Sequence, residues 1–252
     1  MYILVTNDDG IDSEGLLVLK QALEQVAEVV VVAPARNWSV AGHTKSLDKP
    51  LRVTEIRLAD GYPAYSVEGT PSDCVSLAVL GMLQPRPDLV VAGINKGPNL
   101  GDDITYSGTV AAAMEGVIAG IPSVAISLAD YFEWDFTYAA HFAAGLAQHM
   151  GTNGLAKDVL LNVNVPAVPR DQIASVEITR LGKRVYHEVL TQSTDPSGHI
   201  FYSIGGELPS GIPEEGTDFK AIVENRISIT PIHLDLTNHH LIEHLRRWEL
   251  HV

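Results

Sequence analysis

The chain opens on a short apolar run, Tyr2 to Val5, with β-branched members and no polar interruption. A run of that kind predicts a strand buried on both faces. It breaks at Asn7-Asp8-Asp9-Gly10, four turn formers. Ser13 is placed to cap a helix that carries Leu16, Leu19, Leu23 and Val26 at helical spacing. Glu28 to Ala33 is a second apolar run, closed by Pro34. Strand, helix and strand in so few residues predict a βαβ unit, hence a parallel sheet with a right-handed crossover.

The same periods continue. Residues 50–67 read as short strands around the Asp60-Gly61 turn. Gly69-Thr70-Pro71-Ser72-Asp73 reads as a helix start, with Thr70 as cap and Asp73 in the first turn, and Gly81 ends that helix. Asp88 to Ala92 is a third buried strand, and an alanine-rich helix is predicted over Val110 to Ala119. Ser123 to Leu128, Val159 to Val165 and Glu177 to Leu181 read as strands. An amphipathic helix over 137–150 is closed by the turn Gly151 to Gly154.

Beyond Gly182 the pattern changes. Val185 to Gln192 and His199 to Ile204 alternate and flank Ser193 to Gly198, which predicts a long hairpin. An isolated hairpin is marginal in water, so it is expected to project and to pack on another subunit. Residues 205–216 read as loop. A short helix capped by Thr217-Asp218 runs to Glu224, and a strand over Arg226 to Thr230 stops at Pro231. A helical tail over 238–250 places Leu241, Leu245 and Trp248 on one face. His239, His240 and His244 on that tail are read as surface residues. The predicted architecture is α/β: a Rossmann-like, mostly parallel sheet flanked by helices, with a projecting β-hairpin and a C-terminal helical tail. Its parts are a core over 1–182, an arm over 183–216, and a returning segment with tail over 217–252.

Composition narrows the function. Apolar residues make up 46% of the 252, enough for a sizeable core. A net charge of −14 argues against long nucleic acid or an anionic membrane as partner, since both want a basic face. No apolar run approaches the length of a membrane span. The single Cys74 excludes an internal disulfide and fits a reducing compartment. A strand beginning at residue 2 leaves no room for a signal peptide, so a cytoplasmic location is expected.

The candidate chemistry lies where the predicted strands end. Asp8 and Asp9 would point apart within a strand, but in a turn beyond it they can share one target. That rim is where open α/β sheets bind ligands. Adjacent carboxylates repel unless a cation sits between them, and hard oxygens suit Mg²⁺, Mn²⁺ or Ca²⁺. A plain polar turn, with Asp9 capping the next helix, is the competing reading. The loop over 35–49 shares this rim and carries Arg36, Asn37, Ser39, His43 and Lys45; Ser39 could give a cation a neutral oxygen. Asn95 follows the third strand and offers an amide oxygen, and Lys96 can contact a phosphate. Tyr106-Ser107-Gly108-Thr109 opens the alanine-rich helix, and such a start is either an anion site or a simple cap. No GxGxxG follows the first strand, so a dinucleotide fingerprint is absent.

Taken in order, these motifs resemble the SurE family, the survival-protein nucleotidases. The resemblance is carried by Asn7-Asp8-Asp9-Gly10, Ser39 in the loop beyond Pro34, Gly69-Thr70-Pro71 with Asp73-Cys74, and the run of Gly93, Asn95, Gly97, Asn99 and Gly101. It continues in Tyr106-Ser107-Gly108-Thr109 with Ala112, Glu115 and Gly116, and in Thr217-Asp218 leading to Ser228-Ile229-Thr230-Pro231. It implies a metal-dependent phosphomonoesterase acting on nucleoside 5′- and 3′-monophosphates. It implies one divalent cation held by Asp8, Asp9, Ser39 and Asn95, and a homodimer or homotetramer formed through the hairpin and C-terminal segment. On this reading Asp8 and Asp9 are the catalytic pair, and Asn7, Lys96, Ser107, Gly108 and Thr109 bind phosphate and substrate. Trp38 and Val40 depart from the family pattern, and the expected consequence is a narrower pocket. Two other readings compete. One is an aspartyl-phosphate phosphatase, which wants a DxDG-type loop where this chain has Asn7 first. The other is a nucleotide sensor without catalysis.

Overall fold

The first apolar run forms β1 (Tyr2–Thr6) at the middle of the sheet, buried on both faces as its composition demands. The structure, a computed structural model, describes residues 1–132, 135–154, 157–186, 188–206 and 210–248. Ser13 caps α1 (Glu14–Leu23), its side chain accepting from Leu16 N, and Val26 falls just beyond the helix. Next come β2 (Glu28–Pro34), β3 (Val53–Arg57), β4 (Pro63–Val67) and α2 (Pro71–Leu77). Thr70 and Asp73 close a full capping box on α2. They are followed by β5 (Leu89–Lys96), α3 (Gly108–Ile118), β6 (Ser123–Ala129), α4 (Thr137–Asn153) and β7 (Val159–Pro166). The chain then forms β8 (Ser175–Ile178), β9 (Arg184–Val185), β10 (Glu188–Thr194), β11 (Ile200–Gly206) and β12 (Ser210–Gly211). It ends with α5 (Asp218–Val223), β13 (Arg226–His233) and α6 (His239–Leu245).

Nine strands make the main sheet, in the order β3-β4-β2-β1-β5-β6-β7-β13-β8. The run from β4 to β7 is parallel, while β3 and β13 each lie antiparallel to a neighbour. Leu16, Leu19 and Leu23 of α1 and the alanines of α4 bury one face; α2 and α3 bury the other. The chain leaves β1 toward β2 on one side and returns as β5 on the other. This makes the β1/β5 boundary a topological switch point, where a crevice opens beyond the strand ends. Among the described residues no helix is long and apolar enough to cross a membrane.

Several boundaries differ from the sequence reading. The strand expected to stop at Ala92 runs on to Lys96. Its pairing with β6 jumps from Ala92↔Ala125 to Asn95↔Ser127, three residues on one side against two on the other. That extra residue is a bulge, which re-aims the residues after it toward the crevice. β13 continues through Pro231 to His233. Thr179 N donates to Ile229 O, so alternate residues of β13 turn their polar groups toward β8, and β8 pairing ends at Ile229. The missing N–H of Pro231 therefore faces an open edge and interrupts no ladder. α3 begins at Gly108 rather than Val110, and α4 passes Gly151 to stop at Gly154. The strand expected over Glu177 to Leu181 lies earlier, at β8. Part of the expected 205–216 loop pairs: β12 with β9, at the root of the arm. Of the tail, 249–250 lie outside the described residues.

The arm itself is a seven-pair antiparallel ladder, Glu188↔Gly206 to Thr194↔Ile200. One of its faces collects Leu190, Ile200, Tyr202 and Ile204, all exposed. Its root is nailed to the core by Asp218. That buried carboxylate accepts from Gly101 N at 2.7 Å, Gly182 N at 2.8 Å and Phe219 N at 2.9 Å. Asp218→Ala strands three buried donors; it is expected to cost about 3 kcal/mol in urea denaturation and to lower Tm by roughly 6–12 °C. A variant within 1 °C of the parent would show that water replaces the carboxylate there.

Candidate active site

Asp8 leaves the end of β1 almost fully buried, at 4% exposure. Its Oδ1 accepts a short hydrogen bond from the Thr109 hydroxyl, and its carbonyl accepts from Trp38 N at 2.7 Å. Thr109 stands in the first turn of α3, and its N–H is also turned to Asp8. The anion that the start of α3 already holds is therefore a protein carboxylate. Burial pushes Asp8 up to about 6; the Thr109 hydroxyl works against this and the neighbouring Asp9 adds to it. The folded value lies above the ordinary carboxylate value, so ionisation opposes folding. The destabilisation grows as pH rises from 3.8 and is complete above about 6. Asp9 is raised in the same direction by burial, opposed by the Lys96 amide. Its Oδ2 accepts from Lys96 N at 3.2 Å and its Oδ1 from Asn37 Nδ2 at 3.4 Å.

A cavity of about 730 Å³ opens over these groups. Asp8, Ser39, Asn95, Lys96 and Ser107 all line it. Asn95 Nδ2 donates to Gly97 O at 2.9 Å, which turns its amide oxygen the other way. Ser39 donates its hydroxyl to Asn37 Oδ1 at 2.6 Å, so its lone pairs stay available. Asp8, Asn95 and Ser39 bring a carboxylate, an amide oxygen and a hydroxyl to one crevice, while Asp9, the next residue after Asp8, is off its lining; all four offer hard donors. They fit a divalent cation of the Mg²⁺ or Mn²⁺ kind.

The other expected residues have different surroundings. Asn7 is fully buried; its Nδ2 donates to Gly10 O at 2.9 Å and Ser13 Oγ at 2.7 Å, holding the turn below the cavity. Ser107 caps α3 by accepting from Val110 N at 3.1 Å and also lines the cavity. Gly108 and Thr109 lie behind the wall. A Cβ on Gly108 would meet Asp8 Cβ at 2.7 Å, so this glycine is what lets the helix approach the carboxylate. Val40 lines the cavity and takes a positive φ of 61°, a left-handed conformation that a β-branched residue rarely adopts. Trp38 is not on the lining; Arg36 stacks over its ring at 4.8 Å.

The sequence reading missed the outer wall. Asp103, Tyr131, Arg184 and Tyr186 line the cavity together with Tyr106. Arg184 comes from β9 at the arm root, with its side chain 4% exposed. It pairs with Asp103 Oδ2 at 2.6 Å and donates to Tyr131 at 2.8 Å. Tyr186 donates a short hydrogen bond to Asp103, which pushes its phenol up to about 12. The floor is an amide network. Asn162 and Asn164 each donate to Asn99 O at 2.9 Å, and Asn99 donates to Ser127 Oγ at 2.9 Å. Two asparagines inside the apolar run Val159 to Val165 were the one available signal for it.

Fold and site together define a doubly wound α/β protein that presents hard oxygen ligands and a helix N-terminus at its switch point. The comparisons with known proteins narrow this class. A family model described as survival protein SurE matches residues 3–188. A protein named 5′-nucleotidase SurE from Herpetosiphon aurantiacus is 52% identical over 240 residues, 94% of each chain. One of the same name from Chloroflexus aggregans is 50% identical over 99% of each. The crystal structure of the SurE protein from Aquifex aeolicus superposes with a TM-score of 0.84 at 40% identity, over 98% of each chain. The chain belongs to the SurE family.

The Asp8–Gly108 contact makes a direct prediction. Gly108→Ala is expected to cost about 1–3 kcal/mol in urea denaturation, because the methyl group displaces Asp8. Gly145→Ala, a helical site with nothing within 4 Å of the added carbon, should be neutral or stabilising by up to about 1 kcal/mol. Equal effects at the two positions would contradict the packing described.

Proposed function

We propose that the chain is a metal-dependent phosphomonoesterase that hydrolyses nucleoside 5′- and 3′-monophosphates to nucleoside and phosphate. One observation carries the reading: a single cavity at the switch point brings Asp8, Ser39, Asn95 and Ser107 together and is walled on its outer side by tyrosines. The names of the relatives from Herpetosiphon and Chloroflexus support it.

Asp8, Asp9, Ser39 and Asn95 would hold one divalent cation, Mg²⁺ or Mn²⁺, with Ca²⁺ as a substitute of the same ligand chemistry. When bound, the cation supplies charge neutralisation at the phosphoryl group and lowers the pKa of water. The protein's own part is positioning and electrostatics, which dominate phosphoryl transfer. Lys96 and Ser107 line the cavity and would contact the phosphate oxygens. Thr109 holds Asp8 through Oδ1, and Gly108 allows the approach. Asp8 or Asp9 would take a proton from the attacking water; Asp8 lines the cavity. Tyr106, Tyr131 and Tyr186 offer ring surface to the nucleoside. The aspartyl-phosphate alternative is disfavoured, because an amide, Asn7, stands where that chemistry wants a first carboxylate, and it is fully buried with its Nδ2 donating within the turn. The exposed apolar face of the arm supports a homodimer or homotetramer, with 183–216 as a separate contact element.

Phosphate release from AMP with Mn²⁺ tests the proposal. The parent should release phosphate, and Asp8→Asn should lower the rate by at least about a hundred-fold with circular dichroism unchanged. Release by the variant at the parental rate, or none by the parent, would refute the assignment.

A further inference from the structure

The loop over 35–49 carries Ser39 but contains no helix or strand of its own. Its order comes from what it touches. Main-chain bonds tie it at intervals: Trp38 N to Asp8 O at 2.7 Å, Gly42 N to Tyr106 O at 2.9 Å, and Ser46 N to Asp73 Oδ1 at 2.9 Å. The Thr70 hydroxyl adds a bond to Thr44 O at 2.9 Å. Of its basic side chains beyond Ser39, His43 and Lys45 both end on one residue, Glu115 of α3. His43 Nε2 lies 2.8 Å from Oε1, and Lys45 Nζ lies 2.9 Å from Oε2. Ser76 of α2 donates to the same Oε2 at 2.9 Å. The Glu115 side chain is 8% exposed, whereas those of His43 and Lys45 are 33% and 42% exposed. A buried carboxylate on a rigid helix thus gathers the loop from above and α2 from the side. Burial alone would raise Glu115, but the bonds from His43, Lys45 and Ser76 hold it at about 2.

We infer that Glu115 is a positioning residue: it holds the 35–49 loop, and with it Ser39, over the crevice and so sets the affinity for the divalent cation. The inference rests on the metal-dependent reading above. A serine hydroxyl is a weak neutral ligand, and its contribution depends on not having to order its loop when the cation binds. Glu115 does not line the cavity, so it acts through the loop. Replacing it by Gln removes the charge that Lys45 and the His43 ring meet and turns an amide N–H₂ toward one of them. The loop then loosens and the ligand set loses preorganisation.

The test is Mn²⁺ binding by titration calorimetry without substrate, paired with kcat for AMP at saturating Mn²⁺ and with Tm. Glu115→Gln should raise the Mn²⁺ Kd by about ten-fold, as supporting partners of metal ligands do, while kcat at saturating Mn²⁺ stays within about two-fold of the parent. An unchanged Kd, whether Tm falls or not, would overturn the inference and leave Glu115 a structural residue. A fall in kcat that saturating Mn²⁺ does not restore would overturn it also. Lys45→Met and His43→Gln, at half-exposed positions, decide the matter if Glu115→Gln does not fold. Each should raise Kd by about three-fold, and parental values for both would overturn it. If the parent binds no Mn²⁺, the metal-dependent reading itself fails, and the inference with it.

Discussion

The hydrogen bond from the Thr109 hydroxyl to Asp8 Oδ1 joins the end of β1 to the first turn of α3, and the rest of the site is arranged around it. A carboxylate at this depth has lost its water and stands beside a second carboxylate at Asp9. The helix N-terminus offsets part of that cost, since its N–H groups and partial positive charge face the anion. Gly108 makes the approach possible. What remains uncompensated is visible in Asp8 being raised to about 6 and in Asp9 being raised as well. The protein therefore concentrates negative charge at one point where a cation would remove the strain.

Fold topology explains why that point is also accessible. β1 and β5 are paired neighbours, but the connections that leave them run to opposite faces of the sheet, so the strand ends frame a crevice rather than a packed surface. The bulge in β5 turns Asn95 into it, and the 35–49 loop brings Ser39 over the top. The outer wall arrives from a distant part of the chain: Arg184 and Tyr186 come from the arm root, where Asp218 ties Gly101 and Gly182 together. The element that carries Asp103 and the segment that carries Arg184 are thereby anchored by the same carboxylate, so the root of the arm and the outer wall of the crevice share one anchor.

Much of this was legible in the sequence because it rests on local patterns. Apolar runs ending in Asn7-Asp8-Asp9-Gly10, Pro34 and Gly93 pointed to a parallel βαβ core; Ser13, Thr70 and Thr217 cap the helices they were read to cap, and Ser107 takes the cap that was one of its two readings. The grouping of Asp8, Ser39, Asn95, Lys96 and Ser107 follows from placing strand ends on one rim. What was not legible depends on tertiary pairing. A bulge has no signature in hydropathy, so β5 seemed to end at Ala92. Pro231 reads as a stop unless it is known that the neighbouring strand has already ended. Thr109 looked like a phosphate ligand because nothing in the sequence reveals that Asp8 occupies that helix start. Arg184 and Tyr186 lie in a segment whose alternation marks only a hairpin, and Glu115 looks like one acidic residue on an alanine-rich helix.

Thermal melting with and without Mn²⁺ tests the central claim most directly, for the parent and for Asp8→Asn. The account predicts that Mn²⁺ stabilises the parent by about 2.7 kcal/mol at a hundred-fold excess over Kd, an upward shift of roughly 5–10 °C, and that Asp8→Asn does not respond. A parent whose melting is indifferent to Mn²⁺, or a variant that shifts as far as the parent, would contradict it.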